Sequence, residues 1–268
     1  MILIGAFIYK KNHKKEFLVQ KYFIKGFIFK IFGGLVYALL VVFYWGFGDT
    51  STYFKEVLFF RDLLANNKTS LYQIFTQDYA YFRDTYQIIG SINNSGFMVT
   101  KIALLISYLS FSRFLITTML FIVIAYSSLF TLFKTFVSFI PRYHFPIALA
   151  VLFFPSISIY GSGILKDTVS FTSLGFFFYA AYEMSIKKNI SVKYLVILLI
   201  SGYFIAIVKS YILAAFLLPF MLFFIIKLIK GLKSTFAKLT VSFTLVITII
   251  IVFFTFSTQL ETALGVSS

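Results

Sequence analysis

Three polar islands interrupt the apolar runs of this chain, and each carries residues able to move a proton or hold a phosphate. The first, Gly46-Phe47-Gly48-Asp49-Thr50, places a carboxylate beside two glycines that allow a tight turn and close approach to a ligand. The second, Ser162-Gly163-Ile164-Leu165-Lys166-Asp167, sets an ammonium next to a carboxylate at a Ser-Gly turn, and the third is Lys209-Ser210-Tyr211. An ammonium at a partly desolvated boundary is costly unless an anion meets it, and a lipid phosphate is the natural partner. One carboxylate and several cations on one face would let an acceptor hydroxyl attack a carbon whose leaving group is a phosphate. The base takes the proton while the cations stabilise charge building on the leaving oxygen. On that reading Asp49 is the catalytic base, and Lys166, Asp167, Lys209, Tyr211, Arg113 and Lys101 bind the substrate. Plainer roles fit the same residues. Asp49 can cap a helix over 50–66, Asp167 can cap one starting at Thr168, Lys166 can snorkel to headgroups, and the remaining cations can be interfacial anchors.

Other chemistries lack their residues. The chain has no cysteine and two distant histidines, His13 and His144, so a metal would have to rest on carboxylates, and neither metal nor cofactor is expected. There is no phosphate loop, nucleophile elbow, His-Glu-x-x-His or dinucleotide fingerprint. Gly161-Ser162-Gly163 also suits a broken helix at an ion site of a transporter, but five of the nine acids cluster in the stretch from about 47 to 96, between the apolar runs, which argues against a proton or sodium relay.

The elements that must position these residues are membrane helices. Hydrophobic residues make up 60% of the 268 and charged residues only 12%, against about 25% in soluble domains. The mean hydropathy of +0.94 points the same way. Apolar runs of spanning length lie near 26–46, 114–133, 146–164, 168–186, 194–208, 211–228 and 239–257. Stretch 97–112 is amphiphilic, holds Lys101 and stops at Arg113, so it is expected to be re-entrant or half-inserted. The expected fold is thus an all-α polytopic bundle of about seven spans in a single domain over 1–268, with an outer loop at about 47–96 that carries surface helices. In that loop Tyr53, Val57, Phe60 and Leu64 recur at helical spacing. Met1–Tyr9 is apolar but too short to span, and the end follows an apolar run abruptly, as in a chain cut from a longer one.

Charge gives the orientation. If 97–112 does not cross, the basic residues from Lys10 to Lys30, with Lys134, Arg142, Lys187, Lys188, Lys193 and those from Lys227 to Lys238, share the side of the N-terminus. The positive-inside rule makes that side cytoplasmic. Asp49, Lys101, Arg113, Lys166 and Lys209 then share the outer side with five of the nine acids. The net charge of +15 flanks apolar runs and so suits anionic headgroups, not nucleic acid.

One span, then Gly-Asp-Thr opening an outer loop, then a many-span bundle resembles the type C glycosyltransferases and the related bacterial polysaccharide polymerases. Phe154-Pro155-Ser156, the Ser162–Asp167 string and Lys209-Ser210-Tyr211 are similar to bacterial envelope proteins grouped near the exopolysaccharide polymerases. The resemblance covers about residues 20–225 and implies a multi-pass protein of the bacterial inner membrane. It further implies a polyprenyl-(di)phosphate-linked saccharide as substrate on the outer face, membrane lipids as partners, and Asp49 as the acid of the first outer loop. Type C enzymes usually have more spans, and many carry a paired acidic motif where this chain has Asp49 alone. The alternative is a transporter or flippase-like protein in which the same cations guide an anionic lipid without chemistry.

Overall fold

The computed structural model describes residues 2–46, 48–88, 90 and 93–231, with side chains to Leu217. These residues form helices and turns, and no strand occurs among them. The chain divides into two units, Met1–Leu213 and Ala214–Ser268, and the polar islands all belong to the first. The helices of that unit are α1 (Ile2–Asn12), α2 (Val19–Trp45), α3 (Asp49–Ala65), α4 (Leu71–Thr76), α5 (Tyr79–Tyr86), α6 (Asn94–Leu109), α7 (Phe114–Phe139), α8 (His144–Val151), α9 (Pro155–Tyr160), α10 (Lys166–Ser185) and α11, which begins at Val192 and continues to Gly231.

Among the described residues three helices are long and apolar enough to cross a membrane, Val19–Trp45, Phe114–Phe139 and Val192–Leu217, which marks a membrane protein. This is fewer than the seven expected, for local reasons. The run 146–164 breaks into α8 and α9, because Pro155 cannot continue a helix and holds Phe154 extended at ψ 120. Run 168–186 is continuous in α10, but that helix carries Lys166, Asp167 and Glu183. α11 is two helical stretches that meet at Lys209 (φ −149, ψ 76), so the break expected at Lys209-Ser210-Tyr211 between runs 194–208 and 211–228 is present as a sharp kink. Run 239–257 lies outside the described residues.

Side-chain pairs fix the directions. α2 runs antiparallel to α7, since Gly26 abuts Tyr126 while Gly34 abuts Ile122. α8 and α9 follow α2, with Phe29 against Phe153 and Gly33 against Ser158. α7 and α10 run parallel, from Ser128 donating to the Thr172 carbonyl to the hydrogen bond between Ser138 and Tyr182. α11 returns antiparallel to α10, from the Tyr194–Tyr179 ring pair to the Lys209–Asp167 ion pair. One end of the bundle therefore gathers Glu16, Lys134, His144 and Lys187, as the Glu16–Lys134 and Tyr22–His144 contacts confirm. The other gathers Asp49, Lys166 and Lys209. Lys30, counted with the first end in the sequence, is buried within α2.

Helices α3 to α6 form a cap at the second end, with a core of Val57, Phe60, Phe82, Phe97 and Ala103. The apolar stripe expected in α3 is real, but it packs on α6 instead of lying on a membrane surface. Both ends of α6 stay at this end of the bundle. Its N-cap Asn93 meets Lys166, and Ser110 just beyond its C-terminus shares a hydrogen bond of 2.6 Å with Thr117 in the first turn of α7.

Candidate functional site

Backbone geometry brings Asp49 into position. α2 ends in a π-helical turn, Leu40–Trp45, followed by Gly46 at φ 66 and Gly48 at φ 139, conformations that side chains resist. The chain thereby turns from the span directly into α3, with Asp49 as its first residue and Gly48 as its N-cap. α10 starts likewise, with Leu165 as N-cap and Asp167 second in the helix. Neither acid therefore holds the capping position, although each sits where the helix dipole favours negative charge. Asp49 is exposed and has no hydrogen-bond or ion-pair partner among the described residues.

The loop between α9 and α10 sits on this turn. Ser162 is fully buried and donates to the Ser158 carbonyl at 2.5 Å. A Cβ on Gly163 would come within 2.6 Å of Tyr37 Cε1 and 2.9 Å of Thr50 Oγ1, so only glycine lets the loop lie against α2 and the start of α3. Thr50 in turn donates to the Tyr37 hydroxyl at 3.4 Å. The loop is tied from below by Lys30, whose ammonium donates to the carbonyls of Ile157 and Gly161 at 2.7 Å each. The Ile157 carbonyl also accepts from the Gly161 amide at 3.1 Å, and both carbonyls lie at the C-terminal end of α9.

The cations divide. Lys166 donates to Asn93 Oδ1 at 3.1 Å, and Lys209 pairs with Asp167. Exposed Tyr211 lies just past the kink, its ring centroid 6.0 Å from the Lys209 ammonium. Lys101 is elsewhere: it is buried over the Phe97 ring and donates to the carbonyls of Phe75 and Gln77, anchoring the end of α4. Burial lowers its pKa, partly opposed by Asp78. Arg113 is exposed ahead of α7 and bonds through its backbone to Ser110 and Thr117, not to the Asp49 turn.

The buried Tyr53 phenol registers the charge of the site. Its pKa is pushed above the usual phenol range, first by burial and then by Asp49, Glu56 and Asp167. Three carboxylates from two helices thus act on one hydroxyl.

Comparison with known proteins finds no matching family model, no similar curated protein and no similar solved structure.

Residue reading alone missed Tyr37, Tyr53, Glu56 and Lys30. Glu56 is 3% exposed and accepts from Thr100 at 2.5 Å. The signal for it was its register, since positions 53, 56, 57 and 60 share one helix face and a carboxylate on that stripe must be buried with a partner. Tyr37 and Lys30 gave no such signal, because their partners are 13 and 127 or more residues away. Among the described residues no group of three or more His, Cys, Asp or Glu is placed to hold a metal. The chemistry on offer is proton transfer by an exposed carboxylate at the same end of the bundle as two partly exposed ammonium groups, one of them paired with Asp167, which acts with Asp49 on Tyr53.

Proposed function

We propose that this protein is a glycosyl-transferring enzyme or polysaccharide polymerase of the bacterial inner membrane. Its donor is a polyprenyl-(di)phosphate-linked sugar on the outer face. The observation that carries this reading is the seating of the Ser162–Asp167 loop on Tyr37 and Thr50, next to an unpartnered Asp49. An acceptor hydroxyl attacks the anomeric carbon, and the bond from that carbon to the phosphate oxygen breaks. The electron pair leaves on the phosphate, and Asp49 takes the hydroxyl proton. Lys166 and Lys209 meet the phosphate: each ammonium has three donors, so its present partner leaves others to spare. The departure from the paired acidic motif of type C enzymes softens here, since Asp49 has Glu56 and Asp167 as acidic neighbours around Tyr53.

Asparagine at position 49 keeps size and loses basicity. Purified wild type is expected to transfer sugar from a polyprenyl-diphosphate donor, and Asp49→Asn to bind the donor equally while transferring at least about 100-fold more slowly. Donor binding without transfer by the wild type would instead support the flippase-like reading, in which the cations guide the lipid and Asp49 has no chemical role.

A further inference from the structure

The opposite end of the bundle holds a second polar cleft, of about 420 Å³, between α1, α7 and α10. Thr131, Lys134, Ser138, Tyr182, Glu183 and Lys187 line it. Its two lysines are held in place, not free to wander: Lys134 donates to Glu16 at 2.5 Å and Lys187 to Glu183 at 2.7 Å. Glu183 is buried, whereas the lysine side chains are 36% and 51% exposed, so each ammonium keeps donors that point to solvent. Ser138 gives its proton to the Thr135 carbonyl at 2.6 Å and shares a hydrogen bond of 2.8 Å with the Tyr182 hydroxyl, which fixes that phenol at the wall of the cleft. The two glutamates are outnumbered at this end by Lys10, Lys11, Lys14, Lys15, Lys188 and Lys193 in addition to the two cleft lysines. The local field therefore favours an anion.

Next to the cleft runs an apolar groove of about 640 Å³, lined by Phe136, Phe139, Ile140, Ile147, Ala150 and Val151. The two meet at one ring pair, Phe139 of the groove against Tyr182 of the cleft, with centroids 4.6 Å apart. Charged donors on one side of this ridge and a purely apolar channel on the other match one kind of molecule, an amphiphile with a phosphate head and a hydrocarbon tail.

We propose that the Lys134–Lys187 cleft and the Phe136–Val151 groove together form a binding site for a lipid phosphate, separate from the Asp49 site. The head lies between the two ammonium groups against Tyr182, and the tail lies over Phe139 along α7 and α8. Neither site supplies residues to the other, so this assignment stands whether or not the protein transfers sugar.

The test is equilibrium binding to the purified full chain in a neutral detergent, with short-chain phosphatidylglycerol as probe. Lys134→Gln combined with Lys187→Gln is expected to weaken binding about 10-fold or more, as loss of charge-assisted contacts does. The double arginine variant is expected to bind like the wild type, which separates lost chemistry from lost folding. Ile147→Trp, filling the groove, weakens binding with the lysines intact, and Lys68→Gln, at an exposed position of the cap, leaves it unchanged. Displacement of the probe by polyprenyl phosphate at least about 10-fold more effective than by anionic phospholipids supports the site and names an isoprenoid source, whereas equal displacement by both supports it and names the bilayer. Equal binding by the wild type and the double glutamine variant would overturn the proposal. So would inorganic phosphate competing as well as the amphiphiles, since the groove then contributes nothing.

Discussion

Lys30 and Lys101 on the one hand, and Lys166 and Lys209 on the other, show how differently one residue type is used in two regions of this molecule. In the interior, Lys30 and Lys101 are 1% and 8% exposed, and each donates to a pair of backbone carbonyls at a helix end. Ile157 apart, which also accepts from the Gly161 amide, those carbonyls lie in or just past the last helical turn, so the ammonium serves as a long-reach cap. At the rim around Asp49, Lys166 and Lys209 stay partly exposed and meet side chains, Asn93 and Asp167. Carbonyl partners hold a lysine for good, while side-chain partners can be exchanged for a ligand. Spacing along the sequence could not make this distinction, and it moves Lys101 from the expected substrate contacts to the framework.

The largest effect should come from the interior. Lys30→Met removes two charge-assisted hydrogen bonds, strands the Gly161 carbonyl and should cost about 2–4 kcal/mol, read as a lowered unfolding temperature in detergent. Unchanged stability would mean that the Gly161–Asp167 loop is held by its packing alone. At the rim the same kind of change should act on binding instead: Lys166→Gln or Lys209→Gln should weaken polyprenyl-phosphate binding about 10-fold or more with little change in stability. A large drop in stability for either would place it with Lys30 and erase the contrast. Gly163→Ala joins the regions, because its methyl group meets Tyr37 and Thr50. It should cost about 1–3 kcal/mol and lower transfer activity further than that loss of stability accounts for. The smallest functional effect is expected for Lys101→Met, which should loosen the cap by about 1–2 kcal/mol, seen as faster amide exchange in α4, and leave donor binding as it was.

The same contrast bears on how much of the molecule was legible in its sequence. Hydropathy located α10 within two residues at each end and found α2 and α7 while missing the start of one and the end of the other, and charge counting gathered Asp49, Lys166 and Lys209 at one end, because both signals are local and additive. Hydropathy missed the break at Pro155 as an interruption of a span, since 146–164 is apolar throughout and the missing N–H of proline carries no weight in it. Lys209 was legible as a boundary because a charge between apolar runs usually is one, and the backbone does leave helical geometry at that residue, where two helical stretches meet. Tyr37, Tyr53 and Glu56 stayed hidden because an aromatic or a lone acid takes on meaning only through its neighbours in space. The Gly163 contact shows the same limit: the Ser-Gly turn was visible, the surface it lies against was not.

Sugar transfer at Asp49 requires that the Asp49 end face outward and the Lys134–Lys187 end face the cytoplasm. The chain has no cysteine, so single ones report sidedness without background. Asp84→Cys on α5 in the cap and Asn189→Cys between α10 and α11 are both at exposed positions. In intact cells an impermeant thiol reagent is expected to label the first and to reach the second only after the membrane is opened. Labelling of Asn189→Cys in intact cells, with Asp84→Cys protected, would contradict the account, because the sugar-transfer site would then lie on the wrong side of the membrane.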